Sequence, residues 1–362
     1  MMSTTRYKPF LFLVLLPFIT FASTQTKDKY AKTKTINKVF SANANTVLKV
    51  DNSYGNIDIV TWNQNKITID ITITTSGNDE EKVMDKLNEI EVEFLATPNL
   101  VSAKTIFNKS KSNSWWIWGN RNNVNMKINY IIKMPVTGTI DLNNDYGNIN
   151  VGKLEGPAKI NCDYGKITTK ELMADGNSLN FDYTQGCYFE YIKSGKINAD
   201  YSSFTVSKTK NLEVEADYTN STIEIAENLN FNCDYGSIKI EKANAINGAG
   251  DYLTTIIGEV YKLVNLKADY GSIKINQVAG TANAVNIQSD YVGIKIGYAP
   301  NFNFNFEINL DYAGLNTEGD LHFTKKHTEM TSKYYKGYYG NESTGNTLKI
   351  DSDYGSVTLF KN

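Results

Sequence analysis

Apolar and polar residues alternate with a period of two over most of the chain, and a tyrosine interrupts this alternation at regular intervals. The residue four positions before the tyrosine is apolar in eleven of twelve cases, with Gly248 the exception. Alternation with period two is typical of half-buried β-strands. The pattern therefore predicts a short strand on each side of a corner at every tyrosine. These tyrosines are Tyr54, Tyr146, Tyr164, Tyr183, Tyr201, Tyr218, Tyr235, Tyr252, Tyr270, Tyr291, Tyr312 and Tyr354.

The spacing of these tyrosines predicts how the strands are arranged. From Tyr146 to Tyr312 the intervals are 17–21 residues, and the last interval, 42 residues, is twice 21. Eleven of the twelve tyrosines follow an aspartate, and the first follows Ser53. Units this short bury their apolar faces only by stacking on one another. We therefore predict an all-β parallel β-solenoid, a single-chain β-helix with about 17–21 residues per rung. An antiparallel meander with Asp-Tyr at the hairpin tips is the alternative.

The chain divides into three parts. Residues 1–24 hold basic residues, an apolar run over residues 10–21 and then small residues, which predicts a cleaved signal peptide. Residues 25–140 are less regular and are expected to begin the same stack, with one short helix at about 79–91 that Asn78 or Asp79 can cap. We expect this helix to cover an end of the solenoid. Residues 141–362 hold the Asp-Tyr repeat, with a hairpin inserted at about 317–349.

The first apolar run is shorter than the roughly 20 residues of a membrane-spanning helix. No later run is long enough either, so no transmembrane anchor is expected after signal cleavage. The chain is therefore expected at the cell surface, in the periplasm or in the medium.

Composition and charge argue against several classes of function. The net charge is −2, which gives no basic field for nucleic acid. The chain has two arginines and two histidines, His322 and His327, which are five residues apart and so are expected on opposite faces of a strand. No nucleophile, zinc or phosphate-binding motif occurs. We therefore expect no catalytic residues and no cofactor.

Several segments together resemble a known family. They are VDNSYGNIDIVTWNQNKITIDI with the short acidic helix after it, KINYIIKMP at 127–135, the repeated DYGSIKI units and the closing KIDSDYGSVTL. In this order they resemble a family of secreted bacterial proteins described as putative adhesins. The resemblance runs from about residue 36 to the end. It implies a β-helix fold and an adhesin-like function, and it supplies no catalytic residues.

Two aromatic segments are candidate contact surfaces for a surface glycan or an envelope protein. Exposed aromatic rings can stack on sugars or anchor a partner, whereas packed ones would cap the solenoid. The first segment, an Asn-rich loop, contributes Trp115, Trp116, Trp118 and Arg121. The second, in the expected hairpin, contributes Tyr334, Tyr335, Tyr338 and Tyr339.

Stacked rungs would place the aspartates of the repeat in a ladder. We expect each carboxylate to close its corner as an Asx-turn, each tyrosine to stack on the next, and the glycine that often follows to supply the positive φ. Calcium ions between the carboxylates are the alternative. That alternative would use Asp163, Asp182, Asp200, Asp217 and Asp234.

The three cysteines, Cys162, Cys187 and Cys233, are expected to be free and buried, since Cys162 and Cys233 lie four rungs apart and beyond the reach of a disulfide.

The sequence as a whole favours an exported, non-enzymatic adhesin-like or cell-envelope structural or binding protein. A polysaccharide-active enzyme of β-helix type is one alternative, and a periplasmic scaffold or sensor that works through a protein partner is another. The sequence carries no signal for an oligomeric state.

Overall fold

Strands make up most of the regular structure in residues 28–108 and 124–362, which are the residues that the computed structural model describes. The described N-terminal elements are β1 (Tyr30–Ser41), β2 (Val47–Ser53), β3 (Ile57–Trp62), β4 (Lys66–Gly77), α1 (Glu80–Glu89), β5 (Ile90–Thr97), β6 (Leu100–Phe107) and β7 (Asn125–Pro135). The next are β8 (Thr139–Asp145), β9 (Ile149–Val151), β10 (Ala158–Asp163), β11 (Ile167–Leu172), β12 (Asn177–Asp182), β13 (Cys187–Asp200), β14 (Ser203–Asp217), β15 (Asn220–Asp234) and β16 (Gly236–Asp251). The last are β17 (Leu253–Val278), β18 (Ala284–Tyr298), β19 (Phe304–Asp311), β20 (Gly314–Glu318), β21 (His322–Glu329), β22 (Ser332–Tyr339), β23 (Thr347–Asp353) and β24 (Ser356–Lys361).

Each repeat forms one rung of two strand arms that meet at the Asp-Tyr corner. The leading arm ends at the aspartate, and the trailing arm begins after the tyrosine. Leading arms pair in parallel with leading arms, and trailing arms with trailing arms, so that Asp200 lies opposite Asp217 and Asp217 opposite Asp234. Between β13 and β16 the register advances by 17 residues per rung. The parallel β-solenoid is confirmed, and the antiparallel meander is excluded for the repeat.

The apolar residues of the two arms form one continuous core between them. Phe181 on a leading arm contacts Phe189 and Phe204 on trailing arms, at ring-centroid distances of 5.9 and 5.7 Å. The three cysteines are part of this core and are buried and free, as predicted. Burial raises the pKa of the Cys162 thiol to about 12 and that of Cys233 to about 12.

The helix lies at the N-terminal end of the stack. Asp79 is its N-cap, and the carboxylate accepts the backbone N–H of Lys82 at 3.3 Å, as one of the two predicted caps. Val83 and Leu87 are buried, and α1 contacts β1, β4 and β5. There β4 and β7 and also β5 and β6 pair antiparallel, so the regular parallel stack ends under the helix.

A buried polar network joins the first rungs. The Asn52 amide donates to the Asn144 amide oxygen at 3.0 Å, and the Thr105 hydroxyl donates to the Asn52 oxygen at 2.9 Å. The same Thr105 hydroxyl is 2.7 Å from the hydroxyl of Tyr130. Burial raises the pKa of Tyr130 to about 12.

The C-terminal rung is inserted between two earlier ones. The arms β23 and β24 pair in parallel with β18 on one side. On the other side β23 pairs with β19, and β24 pairs with β20. The rungs therefore stack in the order of Tyr291, Tyr354 and Tyr312. The 42-residue interval thus contains the hairpin β21–β22. After this hairpin the chain runs back, and β23 and β24 insert between the rungs of Tyr291 and Tyr312.

No helix in residues 28–108 and 124–362 is both long enough and apolar enough to cross a membrane.

Candidate functional site

All twelve corner tyrosines have a left-handed backbone, with φ between 49° and 63°. The prediction that the following glycine supplies the positive φ is therefore wrong. The left-handed turn directs the tyrosine N–H to the aspartate carbonyl of an adjacent rung, and nine such bonds measure 2.8–3.1 Å. The glycine has a different role: a Cβ on Gly147 would stand 1.8 Å from the Gly55 carbonyl oxygen. Glycine at this position permits close approach of neighbouring corners.

The twelve rings form one continuous stack, as predicted. Their centroids are 4.6–5.3 Å apart and their planes differ by 2–8°. Eleven steps at rung spacing give a stripe on the order of 50 Å long. The rings are 40–58% exposed, so the stripe is a surface feature along the corner.

The aspartates form a parallel ladder whose hydrogen bonds differ from the prediction. In four consecutive rungs, from Asp182 to Asp234, the carboxylate accepts the backbone N–H of the aspartate in the next rung, at 3.1 Å for Asp182 and 2.8 Å for Asp234. The expected Asx-turn within one corner is therefore wrong for these residues. Burial raises the pKa of Asp182 and of Asp217, the bond from the next N–H opposes this, and neighbouring carboxylates raise it further.

The weak calcium alternative used five of these aspartates. They are Asp163, Asp182, Asp200, Asp217 and Asp234. In the described part of the chain, no three His, Cys, Asp or Glu side chains are grouped to hold a metal ion.

A large concave surface lies on the outer face of the leading arms. It has a volume of about 870 Å³ and crosses seven rungs. At about 4.8 Å per rung it is roughly 30 Å long. We name it the amide groove and define it by residues 213–215, 230–232, 247–249, 265–267, 286–288, 349–351 and 307–309.

Four asparagines, five residues before their tyrosines, form the floor of the amide groove. The side-chain N–H of Asn247 donates to the Asn230 oxygen at 3.0 Å, Asn265 donates to Asn247 at 2.8 Å, and Asn286 donates to Asn265 at 2.7 Å. All donate in the same direction along the stack. A different asparagine series lies three residues before the tyrosine. The series five residues before the tyrosine keeps the same register and was the available signal.

The series three residues before the tyrosine also forms an amide ladder, from Asn143 to Asn198, outside the groove. Asn161 donates to Asn143 at 2.5 Å, Asn180 to Asn161 at 2.8 Å and Asn198 to Asn180 at 2.7 Å. It lies on the same outer face, nearer the N-terminal end. This ladder stabilises rungs that form no part of the amide groove.

Charged residues lie at the two ends of the groove floor. Glu213 is directly opposite Asn230, whose amide N–H groups donate no bond within this ladder, and Lys349 is opposite Asn286, whose amide oxygen accepts no bond within it. An anion thus lies at the donor end and a cation at the acceptor end, which stabilises the aligned amides. Lys196 binds Glu213 at 3.1 Å and Glu215 at 2.6 Å, and these bonds raise the pKa of the lysine.

The C-terminal hairpin extends the outer face beyond the groove. The Tyr334 hydroxyl donates to Glu307 at 3.2 Å, and Lys325 lies over the Tyr334 ring at 5.2 Å. Tyr338 stacks on His322 at 5.0 Å. A smaller cavity of about 220 Å³, lined in part by Tyr334 and His327, adjoins the groove at Asn309.

The two histidines lie on the same face of the hairpin, and the prediction of opposite faces is wrong. His322 pairs with Tyr338 and His327 with Tyr334, and these two tyrosines are four residues apart on a regular strand. An irregularity between Phe323 and Lys325 shifts the register by one residue and brings both histidines to one side.

The other two candidate tyrosines face the core. Tyr339 is 7% exposed, and its hydroxyl donates to the Pro300 carbonyl at 3.2 Å. Tyr335 is half-buried and contacts Phe323 edge-on at 6.0 Å. The four tyrosines therefore divide into an outer pair, Tyr334 and Tyr338, and an inner pair.

The first aromatic segment and the signal segment lie outside the described residues. Residues 1–27 include the expected signal peptide, and residues 109–123 include the Asn-rich loop. The candidates in that loop are Trp115, Trp116, Trp118 and Arg121. They stay predictions.

No family model matches the chain. No curated protein matches it. Among solved structures, the chain is similar to a putative cell adhesion protein from Clostridium sporogenes, with 12% identity, 91% of this chain and 100% of that chain covered, and a TM-score of 0.17. It is similar to a putative adhesin from Bacteroides fragilis, with 12% identity, 91% and 97% covered, and a TM-score of 0.26. It is also similar to a putative adhesin from Parabacteroides distasonis, with 10% identity, 91% and 97% covered, and a TM-score of 0.31. These names agree with the family that the sequence resembles, and the fold assignment rests on the strand pairing.

Proposed function

We propose that the protein is an exported, non-enzymatic, adhesin-like binding protein of the cell surface or envelope. The observation that carries the proposal is the amide groove, an open surface of about 870 Å³ built on paired strands of seven rungs. Sites on regular elements keep their geometry better than sites on loops. A binding protein of this kind requires a preformed, accessible surface, and the solenoid provides one.

The carboxylates at the groove support binding rather than catalysis. Glycoside hydrolysis uses two carboxyl groups, one of which is protonated to act as the acid. Glu213 and Glu215 both form an ion pair with Lys196. Glu307 accepts the Tyr334 hydroxyl and lies six rungs from Glu213, about 29 Å away at rung spacing. This arrangement favours a polar binding surface over a hydrolytic site.

Export and surface exposure are supported by the segment 1–24 and by the family resemblance. Protease treatment of intact cells, followed by fractionation, tests them directly. We expect the protein to be lost from treated cells while a periplasmic control protein remains. Protection from the protease together with recovery in the periplasmic fraction would refute the adhesin-like function and favour a periplasmic scaffold or sensor.

The absence of enzymatic activity has its own test. The purified chain from residue 25 onward is incubated with neutral and anionic polysaccharides, and new reducing ends are measured. We expect none above the level of a heat-unfolded sample. Depolymerisation that persists in a Glu213→Gln, Glu215→Gln double variant would point to an active site elsewhere, and loss in that variant would make the groove catalytic. Either result would overturn the non-enzymatic assignment.

A further inference from the structure

The amide groove offers the same hydrogen-bonding groups at every rung of its floor. In the ladder each donating asparagine uses one N–H, which leaves its second N–H and a lone pair on its oxygen for a ligand. Asn230 and Asn247 are exposed, and Asn265 and Asn286 are half-buried. A donor and an acceptor therefore recur at a spacing of about 4.8 Å. Hydroxyl groups, which both donate and accept, match such a row.

The middle of the groove is nearly uncharged. Across the four asparagine rungs, the outward residues two positions further on are Asn232, Ala249, Lys267 and Gln288. Lys267 is the one charged side chain among these eight. The carboxylates are placed at the ends, where Lys196 binds two of them. An anionic chain along the floor would meet Lys267 in the middle, Glu213 and Glu215 at one end, and Asp351 and Glu307 beside Lys349 at the other. The carboxylates outnumber the cations, which disfavours such a chain.

The floor does not offer a strand edge to a peptide. The leading arms of β15, β16, β17 and β18 are each paired with a neighbour on both sides. Peptides that bind by adding a strand need unpaired backbone groups. Recognition here therefore goes through side-chain amides alone.

One outward position in the middle of the groove holds a small side chain. Ala249 stands there, between Asn232 and Lys267 of the neighbouring rungs. Gly248 before it takes the position that faces the core in the other repeats, and the Phe231 ring fills that space, with Cζ 2.0 Å from where a Cβ would stand. The outward face between Asn247 and Asn265 therefore carries only the methyl group of Ala249 on this rung.

We propose that the amide groove binds an uncharged, hydroxyl-rich polysaccharide that lies along the stacking axis, with the Asn230–Asn286 ladder as its hydrogen-bonding floor. This inference rests on the proposed binding function and names its ligand class. The polysaccharide lies across the rungs, so successive sugars meet successive asparagines.

Affinity electrophoresis in native gels tests the ligand class with the chain from residue 25 onward. The probes are the neutral polysaccharides galactomannan, xyloglucan and mannan, and the anionic polygalacturonate. We expect at least one neutral polysaccharide to retard the protein, with retardation that persists in 0.5 M NaCl, where the Debye length is only about 4 Å. Retardation by none of the neutral probes, or by polygalacturonate alone, would overturn the inference.

Matched variants locate the site. Asn247→Leu and Asn265→Leu remove the groove amides, and Asn180→Leu removes an equivalent amide of the other ladder, outside the groove. We expect at least a tenfold loss of affinity for the first two and no change for the third, with all three keeping the strand signal in circular dichroism. Equal affinity of all three variants, or an equal loss in all three, would place the ligand elsewhere.

The more conservative Asn265→Asp variant keeps the shape of the side chain and separates misfolding from loss of contact. We expect its affinity for the neutral probe to fall because a carboxylate cannot donate. An unchanged affinity would contradict the role of the ladder. Failure of these binding tests leaves the protease result on intact cells unaffected, so the ligand class and the surface function are judged separately.

Discussion

Replacing one tyrosine of the stack tests how much ring stacking adds to the free energy of unfolding and how much the left-handed backbone of the corner subtracts from it. Tyr218 lies 4.8 Å from Tyr201 and 4.9 Å from Tyr235, with φ at 52°. A stacked aromatic pair contributes about 0.5–1.5 kcal/mol beyond the area it buries. Losing both pairs in Tyr218→Ala therefore lowers the free energy of unfolding by about 1–3 kcal/mol.

Glycine at the same position separates the two effects. Tyr218→Gly loses the same two ring contacts, but glycine adopts the left-handed conformation without the roughly 1 kcal/mol that other residues require. We expect the glycine variant to be more stable than the alanine variant by about 1 kcal/mol. Tyr312, at the end of the stack, contacts one ring of it at 4.8 Å, so Tyr312→Ala should cost about half as much as Tyr218→Ala.

Urea unfolding followed by circular dichroism measures all three variants against the parent chain. Equal midpoints for Tyr218→Ala and Tyr218→Gly would show that the left-handed corner carries no cost. Equal losses for Tyr218→Ala and Tyr312→Ala would show that stacking on two sides adds nothing, and the reasoning from ring distances would be wrong.

Four further predictions follow from buried or crowded groups. The raised pKa and burial of Cys233 predict that iodoacetamide at pH 8 labels it in urea and not in the native chain, and native labelling would contradict its position in the core. Asp217→Asn should raise the urea midpoint at pH 7 and leave it unchanged at pH 3. The pKa of Asp217 is higher in the folded chain than in the unfolded chain, so the ionised carboxylate lowers the free energy of unfolding as the pH rises above the unfolded pKa. A gain at both pH values would refute the electrostatic cause. Gly248→Ala should cost about 1–3 kcal/mol through its clash with the Phe231 ring, and adding Phe231→Leu should restore part of it in a double-mutant cycle; additive losses would argue against the clash. Thr105→Val leaves its two buried partners unsatisfied and should cost about 1–3 kcal/mol by thermal or urea unfolding, whereas a neutral effect would show that the partners re-pair.

Much of the solenoid could be predicted from the sequence because its repeat is local. The apolar residue four before each tyrosine and the near-constant interval fix which residues face the core and which residues pair. Asp79 could be identified as a cap because an acidic helix start has a local signature. The stacked tyrosines follow directly from in-register pairing of identical units.

The order of the last rungs could not be predicted, since order is a property of the whole fold. The unit around Tyr354 has the same apolar pattern as the others and fits any slot in the stack. It lies between the rungs of Tyr291 and Tyr312 because β19 and β20 leave a gap next to β18, and the chain fills this gap with β23 and β24 after the hairpin. The period of the repeat does not indicate that a later unit inserts between two earlier ones.

Local preferences also misled at the corners and in the hairpin. Glycine is the usual residue at positive φ, yet tyrosine adopts it here because its N–H then reaches a carbonyl of the adjacent rung. The two histidines share a face because the register shifts beside Phe323. The amides of the groove floor are visible in the sequence, but the groove itself depends on seven rungs stacked together.

Residues 347–362 form the inserted C-terminal rung, and they join the rungs on either side of it. Until they arrive, the facing edges of β18 and of β19–β20 have no partner, because β23 and β24 supply the hydrogen bonds to both sides. A chain that emerges N-terminus first during synthesis can build its rungs in order up to this point, and the gap closes once residues 347–362 have emerged. A stop before residue 347 would therefore leave two open edges instead of one, and open edges recruit foreign strands.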